Sequence, residues 1–172
     1  MEYTKNKIPN DIQEFINKLK NYIDTKIYYY GSVQRYDYFV GKSDIDFSVF
    51  TDNTEAMIYK ISHYLHINKN KFHKIVWYYK NKFIEGYKVV YRNENPNCRL
   101  EITIYDEKYK EYVLEDHRIP FNMPFYILIL LIFLKLLYYN LQIIPGSFYR
   151  DYKNAIMNFY KGGNTHFTYI KK

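Results

Sequence analysis

The order of expected elements gives this 172-residue chain an α/β fold, with one mixed sheet flanked by helices and a short helical C-terminal part. Three observations carry that expectation. Apolar residues at helical spacing open the chain, strand-like alternation appears at residues 44–50 and again at 99–105, and an unbroken apolar run falls late, at 125–134. The length suits one domain with its own core, and a hydrophobic share of 48% excludes a disordered body.

Asn10 and Asp11 can cap a first helix reaching to about Tyr22, with Ile12, Phe15, Ile16, Leu19 and Ile23 near helical spacing. Residues 26–30 are β-branched and aromatic, a short strand ended by Gly31. Residues 32–39 fit a helix or a helical turn. Gly41 breaks the chain before a strand at 44–50, whose Ile45, Phe47 and Val49 share the buried face. Residues 51–53 supply a cap for a helix over 54–65. Two strands follow at 74–79 and 83–91, around Asn81-Lys82, and the stretch 93–97 with Pro96 reads as a loop.

In the strand at 99–105, Leu100, Ile102 and Ile104 face one way and Arg99, Glu101 and Thr103 the other. Beyond Asp106 the chain turns helical. A charged segment runs to Glu115, then comes the apolar helix, then an amphipathic helix over 148–160 stopped by Gly162-Gly163. The tail to Lys172 is expected to be loose or an edge strand. A core over 1–106 and a helical extension over 107–172 are expected to pack as one unit.

The formal net charge is +7 and the pI about 9.2, with the positive residues scattered rather than run together. Such a surplus suits a polyanionic partner, and it suits a merely solvated basic surface equally well. One cysteine, Cys98, excludes an internal disulfide and a cysteine-cluster zinc site. Residues 1–10 are polar and lack the apolar stretch of a signal peptide, so the expected location is cytoplasmic or otherwise intracellular, not secreted. The apolar run is only about half the ~20 residues a membrane span needs, with Pro124 before it and Lys135 inside it. A buried helix packed on the sheet is expected there, and no membrane partner.

Asp44-Ile45-Asp46 places two carboxylates two residues apart on a strand, hence on one face. Acids that close repel each other unless something neutralises them, and a hard cation with oxygen ligands does so. Asp-x-Asp alone is common and mostly solvated. Here Gly31-Ser32 precedes it, after a strand, where glycine lets backbone N–H groups approach a phosphate and serine adds a hydroxyl.

Residues 28–50, YYYGSVQRYDYFVGKSDIDFSVF, resemble the signature of the DNA polymerase β-like nucleotidyltransferase superfamily. That signature is an apolar strand, Gly-Gly or Gly-Ser, a spacer, then alternating acidic and apolar residues. The resemblance implies transfer of a nucleoside monophosphate from an NTP, ATP among the candidates, to a hydroxyl, with release of pyrophosphate and two Mg²⁺ (or Mn²⁺) ions as cofactors. It implies Asp44 and Asp46 as metal ligands and a third carboxylate on a later strand, with Glu101 the first choice and Asp106 the second. Where relatives more often have aspartate, this chain has glutamate. Gly31 and Ser32 would then bind the triphosphate, and Arg35 and Lys42, close in sequence, could neutralise it.

The resemblance leaves the acceptor open. A nucleic acid end fits the charge, a protein or RNA partner as in toxin–antitoxin pairs fits the size, and an inactive binding or assembly protein of the same fold is the third reading. Small-molecule modifiers usually carry longer helical domains. His63 and His66 have no acidic partner to complete a metal site, Trp77 with Tyr78 and Tyr79 reads as strand packing, and Cys98 as a structural residue. Oligomeric state is not written in the sequence.

Overall fold

The computed structural model describes residues 1–160 and the strand at 168–170; the expected Gly162-Gly163 stop lies outside the described residues. Helix α1 (Asn10–Ile23) leads into β1 (Ile27–Tyr30), a 3-10 turn (Gly31–Gln34) and β2 (Ile45–Thr51). Then come α2 (Thr54–Leu65), capped by Asn53, whose side chain accepts from the Ala56 N–H at 2.9 Å. Strands β3 (His73–Tyr79), β4 (Lys82–Glu94) and β5 (Asn97–Asp106) follow, then α3 (Lys110–Arg118), α4 (Phe125–Lys135), α5 (Gly146–Tyr160) and β6 (Thr168–Ile170).

The sheet order is β1-β2-β5-β4-β3-β6. Among the described residues only β2 and β5 run parallel; every other neighbouring pair is antiparallel. The expected α/β architecture with a mixed sheet is therefore the observed one. Lys80 and Asn81, both at positive φ, turn β3 into β4. The loop expected at 93–97 is shorter than that. Asn93 pairs with Cys98 and Glu94 with Asn97, so ladder hydrogen bonds claim all but the Asn95-Pro96 tip.

Both sheet faces are covered, by different means. On one, α1 and α2 bring Ile16, Leu19, Ile23, Met57 and Ile61 onto Ile45, Phe47, Val49, Leu100, Ile102 and Ile104, all buried. On the other, Phe50, Ile75, Trp77, Ile84 and Tyr105 pack beneath Val113 of α3. Burial on this scale is the main driving force for the fold.

One expectation is corrected here. Helix α4 does not lie on the sheet. Together with Met123 just before it, it buries Ile127 and Leu131 against Ile156, Met157 and Tyr160 of α5, and leaves Phe125, Ile129 and Phe133 exposed at 75%, 57% and 57%. An apolar run marks a helix that can be buried, not what covers it or on how many sides, and here α5 covers one face while the opposite one stays exposed. No single helix among the described residues is long and apolar enough to cross a membrane; the helical stretches 107–122 and 125–140 meet at 87°.

Candidate active site

Strand register brings the acids together. Tyr30 of β1 faces Asp46 of β2, and Asp46 faces Glu101 of β5, with Val90 of β4 next in the same row. Neighbouring strands lie about 4.8 Å apart, so the Asp46 and Glu101 side chains rise side by side. Asp44 shares their face, two residues before Asp46. Further along this face the row closes over. Ser48 and Thr103 are buried and share a 2.7 Å hydroxyl hydrogen bond. Asp106 pairs with Thr51 at the far end of the two strands, about 16 Å from Glu101 at the usual rise per residue. Of the two candidates for a third carboxylate, only Glu101 stands beside Asp46.

Residues 32–39 contain no α-helix. The chain makes the single 3-10 turn Gly31–Gln34 and then runs irregularly. Gly31 sits at φ 70°, and a Cβ built on it would lie 1.9 Å from Asp46 Oδ2 and 2.9 Å from Asp46 Cγ. Glycine is thus required twice, for the backbone conformation and for contact with the carboxylate. Residues before α1 hold the turn in place. Asn6 Nδ2 donates to the Val33 and Arg35 carbonyls at 3.0 and 2.6 Å. The buried Gln34 accepts from the Lys5 N–H at 2.9 Å and donates to the Tyr3 carbonyl at 2.6 Å. Ser32, also buried, opens the turn directly after Gly31.

Electrostatics set Asp44 and Asp46 apart from ordinary surface carboxylates. Burial first, and Glu101 second, push the Asp46 carboxyl up to about 7. Asp44 is raised as well, again by burial first, against the opposing effect of Arg99. Arg99 Nε lies 3.6 Å from Asp44 Oδ2, and Lys88 Nζ lies 2.6 Å from Glu101 Oε1. The Tyr30 hydroxyl donates to Glu101 at 3.1 Å, and its ring stacks on His117 at 4.0 Å. Burial, then Glu101 and Asp46, hold that phenol well above its usual range. Lys153 of α5 acts on both Asp44 and Asp46 through space, drawing each down.

The two cations expected at the phosphates are engaged elsewhere. The Arg35 guanidinium is buried and grips Asp37, with Nε to Oδ1 at 2.8 Å and Nη2 to Oδ2 at 2.9 Å. Lys42 donates to the Tyr139 carbonyl at 3.2 Å and to Asn140 Oδ1 at 3.0 Å. Nearness in sequence pointed to these two, whereas Lys88, Arg99, Lys153 and, for Asp44, Lys135 are cations whose interactions reach the acids. Arg99 was visible two residues before Glu101, but its carboxylate is Asp44. Nothing in a linear reading signals Lys88 or Lys153, which long-range folding delivers.

Three carboxylates on one face form an oxygen-only donor set of the kind that suits Mg²⁺ or Mn²⁺. The raised Asp46 carboxyl, pressed against glycine rather than a cation, fits such a ligand. Among the described residues no salt-bridge cation contacts Asp46, and no three His, Cys, Asp or Glu side chains are gathered into a ready ligand cluster. Arg99 pairs instead with Asp44 and Lys88 with Glu101. Elsewhere, His63 Nδ1 shares a 2.8 Å hydrogen bond with the Tyr22 hydroxyl, and Trp77 is buried in the second core. Cys98 is buried too, its thiol pushed up to about 11 by burial first and Asp11 second.

Comparison with protein families gives one match: the model described as a nucleotidyltransferase domain covers residues 11–119. That span runs from α1 through α3 and contains the Gly31–Gln34 turn, Asp44, Asp46 and Glu101. No curated protein and no solved structure matches the chain significantly.

Proposed function

Because the chain belongs to the nucleotidyltransferase domain family, we propose that it moves a nucleoside monophosphate from an NTP to an acceptor hydroxyl. The observation that carries this reading is the contact between the Gly31 turn and the Asp46 carboxylate, with Glu101 as Asp46's cross-strand neighbour. A phosphate-binding turn pressed on a carboxylate pair has a clear use where a triphosphate and its counter-ions must share one small volume.

In this reading Asp44, Asp46 and Glu101 would hold the Mg²⁺ ions, which would supply charge neutralisation for the triphosphate and a lowered pKa for the acceptor hydroxyl. The 3-10 turn presents its backbone N–H groups and Ser32 to the terminal phosphates. Lys153 and Lys88 supply positive charge in place of Arg35 and Lys42. The acceptor oxygen attacks the α-phosphorus, its proton passes to Glu101, and the bond from the α-phosphorus to the bridging oxygen breaks, so that pyrophosphate leaves. Lys88 and Tyr30, both on Glu101 Oε1, orient that carboxylate towards the incoming hydroxyl.

The net charge of +7 favours a polyanionic acceptor, such as the hydroxyl end of a nucleic acid. A second reading draws on the Arg99–Asp44 and Lys88–Glu101 ion pairs: a protein of this fold that binds without catalysing. Incubation with α-labelled NTPs, Mg²⁺ or Mn²⁺, and RNA, DNA and protein acceptors in turn separates the two. Transfer by the wild type, abolished in Asp44→Ala/Asp46→Ala, supports the enzyme. Transfer to no acceptor together with no metal binding supports the binding protein.

A further inference from the structure

Lys135 is a lysine inside an apolar helix, and its side chain is only 4% exposed. Its ammonium does not snorkel to water. It lies 3.0 Å from Asp37 Oδ2, donates to the Asp37 carbonyl at 2.6 Å and approaches Ser43 Oγ at 3.4 Å. Arg35 holds the same carboxylate from the other side, so one fully buried acid bridges two buried cations. Burial alone would raise the Asp37 carboxyl, yet Arg35 and Lys135 together hold it below its ordinary value.

Buried ionic clusters are poor stabilisers, since apolar side chains of similar volume often serve the fold as well or better. What such a cluster can do is fix geometry. This one fixes the segment 36–43, which joins the Gly31–Gln34 turn to Asp44. Asp37 ties down its start and Ser43 its end. Between them Phe39 packs on Tyr139 at 5.9 Å, and Lys42 reaches the Tyr139 carbonyl and Asn140. Every one of these contacts converges on residues 135–140, where α4 widens into the π-helical turn Leu136–Asn140. Turns of that kind recur at functional sites because they redirect carbonyls and side chains out of the helical ladder.

We infer that Lys135 is a positioning residue: through Asp37 and Ser43 it clamps the segment 36–43 and so sets where Asp44 stands beside Asp46. The clamp reaches in from beyond residue 119, where the matched family region ends. The inference rests on the reading of Asp44 as a carboxylate of the transfer site.

The test is amide hydrogen exchange on the full chain without metal or nucleotide, comparing wild type with Lys135→Met. Methionine keeps the length and apolar stem, and the neutral Arg35–Asp37 pair survives, so the variant is expected to fold. Exchange over 38–44 should rise about tenfold while 85–92 in β4 keeps its protection. In transfer assays kcat should fall about tenfold, with KM for the NTP within about threefold of wild type. Ser43→Ala removes the 3.4 Å contact to Lys135 and also the 3.1 Å hydrogen bond from the Phe39 N–H, so its exchange is read over 38–44 apart from Phe39, where a rise of about threefold is expected; it serves if Lys135→Met is unstable. Unchanged exchange over 38–44, or an equal rise there and in β4, overturns the clamp. A wild type that transfers nothing overturns the transfer reading instead, and the exchange result still decides the clamp.

Discussion

Replacing Gly31 with alanine adds one methyl group at the point where the turn meets the acid. Two costs follow, and the structure separates them. The first is conformational: φ is 70°, a region that costs a non-glycine residue about 1–2 kcal/mol. The second is steric, because the new Cβ would sit 1.9 Å from Asp46 Oδ2, so the carboxylate must move by more than about 1 Å to reach ordinary contact. Crowding of that kind costs about 1–3 kcal/mol, and the total for Gly31→Ala is about 2–5 kcal/mol. Gly41 has the same φ of 70° and no atom within 4 Å of its Cβ position, so Gly41→Ala measures the first cost alone. Urea denaturation of both variants in chelator gives the difference. Adding Asp46→Ala to Gly31→Ala removes the obstructing oxygen and should recover about 1–3 kcal/mol relative to additivity. A displacement of 1 Å at a reacting centre also costs about 100-fold in rate, so Gly31→Ala should lose transfer activity far beyond its loss of stability. Equal stability loss in Gly31→Ala and Gly41→Ala, with no coupling to Asp46, refutes the claim that the turn is built onto the carboxylate.

Asp46 also gives a pH signature. Its folded carboxyl lies above its unfolded value, so its contribution is stabilising below about pH 4 and is lost as the pH rises through the folded value near neutrality. Metal-free Asp46→Asn cannot ionise and should exceed wild type in stability by about 1–3 kcal/mol at pH 8, after discounting for partial exposure, with the gap closing towards pH 4. Denaturation curves across that range check it, and a pH-independent gap contradicts it. Glu101→Gln should cut kcat about 100-fold, whereas Asp106→Asn, at the far end of the strand, should stay within about twofold. The reverse order would relocate the third carboxylate. Lys153→Met should weaken NTP binding about tenfold, about 1.4 kcal/mol, in a nucleotide titration; unaltered affinity would remove α5 from the site.

The pattern of local residues explains what could be read in advance. Asp44-Ile45-Asp46 and the alternation at 99–105 are local, and period-two spacing alone assigns their faces. Gly31 reads locally as a close approach to phosphate, and that it also presses on Asp46 emerges only from the fold. Pairing of β2 with β5 joins residues 55 apart, as in Asp46 with Glu101, and no local signal encodes it. The same limit hid Lys88 and Lys153. Arg35 and Lys42 are read from adjacency in sequence alone, and no local signal shows that Asp37 and the 135–140 turn contact them. Lys135 stood out in its apolar run as an argument against a membrane span, but its partner is ninety-eight positions earlier, and only folding shows the pair.

The most direct test of the central claim uses one NTP labelled in turn at its α- and γ-phosphates, with Mg²⁺ and the acceptor panel. Label from the α-phosphate is expected to enter the acceptor covalently, while label from the γ-phosphate leaves as pyrophosphate, and Asp46→Asn is expected to do neither. Entry of γ-label into the acceptor, or α-label transfer undiminished in Asp46→Asn, would contradict nucleotidyl transfer at the Gly31–Asp46–Glu101 site.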